Sequence, residues 1–323
     1  MGQIIDARAS KFALFAVRCT AAPKRDTLYC SGMCMKLALL LGLLSALALG
    51  AADYLMQATG RALGVWRSLF YAELIAFGLL SIWLVIGLVG GHISISTEPQ
   101  AWMAALISGC ILLVSASLLS RGLITGALEV VAPVAASYGA LTAILSAAVG
   151  ERLPRNAVVG LLLTLVGVIV VAVPPGGIRR LRGHVGASGL GWGVGAAIGY
   201  GLGFWLQGIY AVPLLGAVVP VWLAFGVGVV VLGLLSQPLH VSLGTPPRST
   251  IWPLVALGAS SVGGFLMLTI GAVAGHTSIV VILSSMASAV TVLLGRILEG
   301  TKVMAYQWLA IGVIVSGLAC IRG

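Results

Sequence analysis

The sequence has 323 residues, of which 60% are apolar and only 8% carry a charge. So few charged side chains cannot cover a water-facing surface, which excludes a soluble globular enzyme and predicts an all-α polytopic membrane protein. The formal net charge is +10, but the basic residues are scattered over tails and short loops, so we expect no nucleic-acid partner. The five cysteines contain no CxxC pair, and no spacing ties a nucleophile to a base. We therefore expect no enzyme activity, cofactor or metal.

Residues 1–36 form a basic tail ahead of the first apolar segment. Translation that starts near Met33 or Met35 would leave this tail out, and both starts are open. The segment that follows resembles a secretory signal, with a charged start, an apolar core and small residues. It continues, however, to Gln57, whose counterpart Gln207 ends an internal apolar segment. We interpret it as the first membrane span.

Apolar length predicts ten membrane-spanning helices, because each run approaches the roughly 20 residues that a helix needs to cross the hydrocarbon core. A loop rich in Pro, Gly and Arg, residues 174–188, divides them into two units of five spans, residues 37–173 and 189–321. An odd number of spans per unit predicts that the second unit is inverted relative to the first. The predicted spans are 37–54, 68–90, 101–119, 130–149, 157–173, 190–210, 213–235, 251–273, 279–294 and 304–321.

An internal repeat supports this division of the chain. Residues of the first unit recur in the second at a nearly constant long spacing, which is typical of transporters built from repeats. In the sixth span, glycines recur every four residues on one helix face, which predicts close helix packing. The repeated pairs include Gln57 and Gln207, Trp102 and Trp252, Thr142 and Thr291, and Gly167 and Gly317.

The hairpin between the fourth and fifth spans carries the most specific motif. Its polar loop reads Gly-Glu-Arg-Leu-Pro-Arg from Gly150, and Gly160 and Gly167 follow in the fifth span, while Pro133 lies early in the fourth. With the five-plus-five repeat, these features resemble the drug/metabolite transporter superfamily, EamA type. In the second unit the corresponding loop is longer and Ala310 stands where a glycine is expected. We expect Glu151 and Arg152 to position the hairpin.

The resemblance implies a ten-helix secondary carrier with both termini in the cytoplasm, often an exporter of amino acids or related metabolites. It also implies a multi-pass protein of the plasma membrane, which in a prokaryote is the inner membrane. The distribution of basic residues does not settle the orientation, since both sides of the predicted topology carry similar numbers.

Two carboxylates at membrane depth are the main functional candidates, because a charge there is costly unless it faces a partner or a wet cavity. Asp53 lies one helical turn before Gln57, and Glu73 lies inside the second span. Either could bind a substrate ammonium or carry a coupling proton. The alternatives are ion pairs, of Asp53 with Arg61 or Arg67 and of Glu73 with Arg121, and they stay open.

Aromatic, amide and hydroxyl side chains in the first and fourth spans of each unit complete a predicted substrate cavity. Hydrogen bonding between helices is the alternative role for each of them. The predicted substrate-binding residues, besides Asp53 and Glu73, are Tyr54, Gln57, Ser137, Tyr138, Tyr200, Trp205, Gln207, Ser284 and Ser285.

We therefore predict an alternating-access transporter, most simply an exporter of small amphipathic metabolites such as amino acids. Its expected partners are the small-molecule substrate, the lipid bilayer and a coupling proton, and the chain is expected as a monomer or homodimer. Two other functions remain possible from the sequence: a multidrug or organic-cation exporter, and a membrane scaffold subunit that transports nothing.

Overall fold

Helices account for the regular structure of the part of the chain that the computed structural model describes, which contains no strand. That part comprises residues 27–90, 96–125, 128–150, 187–273 and 277–298, with parts of 158–170 and 309–316. Seven of its helical segments are long and apolar enough to cross a membrane. The helices are α1 (Thr27–Leu63), α2 (Val65–Val89), α3 (Pro99–Thr125), α4 (Leu128–Ala136), α5 (Tyr138–Ala148), α6 (Ala187–Leu206), α7 (Val212–Leu215), α8 (Val218–Ser236), α9 (Arg248–Val273), α10 (Thr277–Ser284) and α11 (Ala287–Leu298).

These seven segments coincide with seven of the ten predicted spans. Several predicted features lie outside the described residues, or largely so. They are the fifth and tenth spans, the tail up to residue 26, the 174–188 loop and the motif residues Glu151 and Arg152. The described pieces of 158–170 place Gly160 and Gly167 on a buried face, while Leu162 and Val166 are exposed. The helical, multi-pass character is therefore confirmed, and the count of ten spans stays a prediction.

The first span is longer than the sequence predicted. Helix α1 continues past Tyr54 to Leu63 because its polar side chains are satisfied within the helix bundle. The hydroxyl of Thr59 donates to the carbonyl of Leu55 and lies 2.6 Å from the Ser68 hydroxyl. Polar residues that find such partners do not end a helix.

The fourth and ninth spans are each broken near the middle, which the apolar pattern did not predict. Ser137 separates α4 from α5, and Ser285 and Met286 separate α10 from α11. The two breaks cross each other, since the Tyr138 hydroxyl lies 3.1 Å from the Ser284 hydroxyl. Gly139 permits this crossing, because a Cβ there would lie 3.0 Å from the Ile282 backbone.

The glycine face of α6 packs antiparallel along α3. Added Cβ atoms on Gly195 and Gly203 would contact Leu118 and Leu112 respectively, so the chain directions of the two helices are opposed. Gly199 likewise faces Ser115, whereas Gly191 faces open space. The predicted close packing is thus confirmed for three of the four glycines.

Helix α1 packs antiparallel along α9 in the same way. Ser45 donates a hydrogen bond of 2.8 Å to the carbonyl of Gly264, while Met56, further along α1, shares an apolar cluster with Leu257 of earlier α9. The last part of α1 meets the last turn of α3, since the Gln57 amide nitrogen donates to the carbonyl of Leu123 at 3.1 Å. Helices α1 and α3 therefore end on the same side of the bundle.

Candidate functional site

A cavity lies within the bundle and is lined by residues of both predicted units. Its lining includes residues of helices α1 to α4, α6, α8 and α9. Tyr138 at the start of α5 and the break before α11 also contribute. Its empty volume is about 1070 Å³ when the open mouth is included. Ligand pockets for small molecules are of this kind: concave, mostly apolar, with a few polar groups that converge.

Asp53 of α1 is one of two carboxylates on this lining. It is half-buried, and its neighbour Thr291 on α11 donates to the backbone carbonyls of Gly50 and Ala287. Arg67, one predicted partner, instead donates to the carbonyls of Gly244 and Thr245. No ion pair of Asp53 is found among the described residues, so its carboxylate is left for the cavity.

Glu73 of α2 is the second carboxylate, and it is 9% exposed. Within the described residues it has neither an ion pair nor a hydrogen bond. Arg121, its predicted partner, lies over the Trp192 ring at 5.5 Å from the centroid. The carboxylate occupies the space that Gly228 of α8 leaves open, because a Cβ on Gly228 would lie 2.5 Å from Oε2 of Glu73.

Aromatic rings form a continuous wall on the lining. Tyr200 and Phe204 of α6 stack with centroids 5.5 Å apart and planes at 13°, and Tyr138 contacts both. Phe265 of α9 contacts Phe204 at 5.6 Å and also Phe225 of α8 at 5.4 Å. Tyr200, Asp53 and Glu73 all line the same cavity, so the wall and the acidic groups face one space.

The lining carries charge of one sign. Asp53 and Glu73 are its two ionisable carboxylates, and among its described residues there is no lysine, arginine or histidine. Its remaining polar groups are hydroxyls, of Tyr138, Tyr200, Ser120, Ser261, Ser285 and Ser288. No group of three or more His, Cys, Asp or Glu side chains in the described part could hold a metal ion.

Five of the predicted site residues thus line one cavity: Asp53, Glu73, Tyr138, Tyr200 and Ser285. The other six described ones lie off the lining. Ser284 bonds to Tyr138, Gln57 bonds to Leu123, and Ser137 is exposed and bonds to the carbonyl of Val134. The remaining three are Tyr54, Trp205 and Gln207. Of these, Tyr54 is half-buried and Gln207 is buried.

Sequence reasoning missed the three phenylalanines of the wall. Phe204 follows Tyr200 by one helical turn, so the face of α6 already indicated it. The sequence does not indicate Phe225 or Phe265 in this way, since both lie in long apolar runs in which every helix face is hydrophobic. The tertiary arrangement alone distinguishes them from phenylalanines that face lipid.

Comparison with known proteins identifies the first unit. Residues 36–173 match the family model described as the EamA-like transporter family. A solved structure described as "Crystal structure of protein" is similar to this chain with a TM-score of 0.67 and 22% sequence identity, over 88% of this chain and 95% of the other. No curated protein matches the sequence. The structural similarity supports the fold, and the family match confirms the resemblance seen in the sequence over residues 36–173.

Proposed function

Residues 36–173 belong to the EamA-like transporter family, and from this premise we propose that the protein is a secondary transporter for small organic cations, working by alternating access through the central cavity. The observation that carries the proposal is the cavity lining, which joins two carboxylates without an ion pair among the described residues to a wall of five aromatic rings. The multi-pass helical fold supplies the membrane setting, and we place the protein in the plasma membrane, the inner membrane in a prokaryote.

Two inverted units form the architectural part of the proposal, and helix directions support it. Helices α1 and α3 end on the same side of the bundle, whereas α6 runs against α3 and α9 runs against α1. The first and third spans of the second unit therefore oppose their counterparts in the first unit. A membrane-plane two-fold relation of this kind is the usual basis of alternating access.

Equivalent hydrogen bonds support the same relation. Thr142 of α5 donates to the carbonyl of Gly201 on α6 at 3.1 Å. Its repeat counterpart, Thr291 of α11, donates to the carbonyl of Gly50 on α1, also at 3.1 Å. Each fourth span is thus tied to the first span of the opposite unit. We infer that the undescribed fifth spans complete two equal units of five.

The substrate class follows from the charges of the cavity. A protonated amine or quaternary ammonium is attracted by a carboxylate and by the face of an aromatic ring, and both attractions strengthen where water is excluded. An amino acid also carries a carboxylate, for which the described lining offers no cationic partner. This difference favours amines without a carboxylate over the amino acids that the sequence suggested, and an anion would be repelled.

Coupling by protons is part of the proposal. Asp53 and Glu73 can each hold either a proton or a substrate cation, so an incoming proton at the same carboxylates would displace the cation. Such competition yields exchange of protons for substrate, and with an inward proton gradient the direction is export. We propose a functional unit of one chain, or two in a homodimer, since the cavity is built by a single chain.

Three solutes with one phenyl ring test the proposal: phenylethylamine, a cation; phenylalanine, a zwitterion; and phenylpropionate, an anion. Purified protein in proteoliposomes is expected to transport the amine in response to a pH gradient, phenylalanine more slowly, and the anion not at all. Preferred transport of phenylalanine would favour the amino-acid carrier instead. Absence of transport for all three solutes would favour the scaffold subunit.

A further inference from the structure

Two glutamines at equivalent positions have opposite hydrogen-bonding states. Gln57 and Gln207 occupy the same place in the first spans of the two units. The side chain of Gln57 donates to the carbonyl of Leu123, in the last turn of α3. Gln207 is 1% exposed, yet neither its amide nitrogen nor its amide oxygen finds a partner within the described residues. A buried amide without partners is rare, because it loses its bonds to water and gains none.

The partner of Gln57 is a carbonyl that the helix itself leaves free. The last four carbonyls of a helix have no donor within it, and Leu123 is among the last four residues of α3, which ends at Thr125. By the repeat, the corresponding carbonyl for Gln207 is that of Val273, the last residue of α9. Gln207 lies nearby, because its neighbour Gly208 packs directly against Thr277 at the start of α10.

Backbone geometry also differs between the two positions. Helix α1 is α-helical throughout Thr27–Leu63, which includes Gln57. The chain from Gln207 to Ala211 instead forms a π-helical turn, wider than an α-helical one. Single π-helical turns are costly insertions that occur frequently at functional sites. The unpaired amide and the π turn thus mark one place in the second unit that its counterpart does not share.

The two ends of the bundle also differ in how densely they are packed. We call the end where α1 and α3 finish the Gln57 end, and the opposite one the Gln207 end. The cavity lies in the Gln57 half, since its lining on α3 runs from Gly109 to Leu123. The Gln207 half is filled by apolar side chains, such as the cluster of Ala104, Ala105, Ala211 and Leu215. The paired glutamine therefore lies at the hollow end, and the unpaired one lies at the packed end.

We propose that Gln57 and Gln207 are alternating latches, each of which binds the last-turn carbonyl of the third span in its own unit when its end of the bundle is open, and loses that bond when the end closes. This inference rests on the proposed alternating-access function and assigns two residues to its conformational step. In the other state of the cycle, Gln207 binds the last turn of α9 and its π turn relaxes, while Gln57 is released.

The latches predict opposite effects for one kind of substitution. Gln207→Leu removes an unpaired amide from the closed end, so it stabilises the state described here. Gln57→Leu removes a hydrogen bond from the hollow end, so it favours the other state. One hydrogen bond changes the ratio of the two states about fivefold. Gln57→Asn, which keeps the amide on a shorter side chain, gives the second variant at that position.

Single cysteines report the two ends, in protein whose native cysteines are replaced. Ser120→Cys lies on the cavity lining at the Gln57 end, and Ile270→Cys is its repeat counterpart near the Gln207 end. The measurement is the rate of labelling by a water-soluble maleimide in detergent, without any solute. Gln237→Leu, at an exposed position beyond α8, is the matched control and should leave both rates unchanged.

The latches predict that Gln207→Leu slows labelling at position 270 relative to position 120, and that Gln57→Leu and Gln57→Asn reverse the ratio. Shifts in the same direction would overturn the inference, as would unchanged rates in variants whose thermal denaturation shows that they are folded. Because the labelling uses no solute, failure of the latches leaves the proposed substrate class intact, and failure of the solute series leaves the latches testable.

Discussion

The two predicted units of the chain supply different chemistry to the cavity. The first unit contributes both carboxylates, Asp53 and Glu73, whereas the second contributes four of the five aromatic rings. The sequence repeat shows the same division. The residue equivalent to Asp53 in the second unit is Gly203, and the residue equivalent to Tyr200 in the first unit is Gly50. In the proposed function, the first unit therefore attracts the charge of a solute and the second receives its apolar part.

Neutralising the acidic unit is the strongest test of this division. Asp53→Asn and Glu73→Gln remove the two charges of the lining while they preserve side-chain shape. Loss of one partner from a desolvated charge pair costs about 2 kcal/mol or more, so amine transport should fall about 30-fold or more in each variant. Initial rates of uptake in proteoliposomes measure the effect. Glu98→Gln, an exposed glutamate before α3, is the control and should transport normally.

Removing a ring from the aromatic unit should have a smaller effect. Tyr200→Leu loses a stacked ring on the lining that also carries both carboxylates, and a cation–aromatic contact of about 1 kcal/mol predicts a loss of affinity near fivefold. Tyr200→Phe keeps the ring and should bind amines as the wild type does. Competition by quaternary ammonium ions during uptake gives the affinities. Equal losses in the two variants would assign the role of Tyr200 to its hydroxyl.

Crowding the contact between the units tests how Glu73 is held. Gly228→Ala places a Cβ against the Glu73 carboxylate, whereas Gly233→Ala on the same helix meets only the Phe70 ring at 3.6 Å. Overpacking of about 1 kcal/mol predicts a decrease of about fivefold in amine transport for Gly228→Ala. Gly233→Ala should stay near the wild-type rate. If both variants transport alike, Glu73 is free to move away from α8.

Removing the hydrogen bonds that Thr142 and Thr291 make between helices should have the smallest effect and allows the sharpest comparison. Thr142→Val and Thr291→Val each remove one hydrogen bond between the units, worth about 0.6 kcal/mol. Thermal denaturation in detergent should show similar small losses of stability. Only Thr291 adjoins a carboxylate, so only Thr291→Val should also slow amine transport. Equal transport rates would mean that the Asp53 neighbour has no part in binding.

Sequence patterns predicted the frame well because hydrophobic length and glycine spacing are local signals. Seven spans, the packing of α6 on α3 and the two cavity carboxylates could all be read from the residues. The breaks at Ser137 and Ser285 could not, because serine is compatible with a helix in an apolar run and the crossing of the two spans arises from tertiary packing. Whether Gln57 and Gln207 find hydrogen-bond partners likewise depends on backbone carbonyls far along the chain, which no local pattern encodes.

Equilibrium binding of phenylethylamine and phenylpropionate to the purified protein tests the central claim most directly, with the Asp53→Asn, Glu73→Gln double variant beside the wild type. A cavity that unites acidic and aromatic units should bind the amine in the wild type, lose that binding in the double variant, and bind the anion in neither. Binding of the anion to the wild type as tightly as the amine, or retention of amine binding by the double variant, would contradict it.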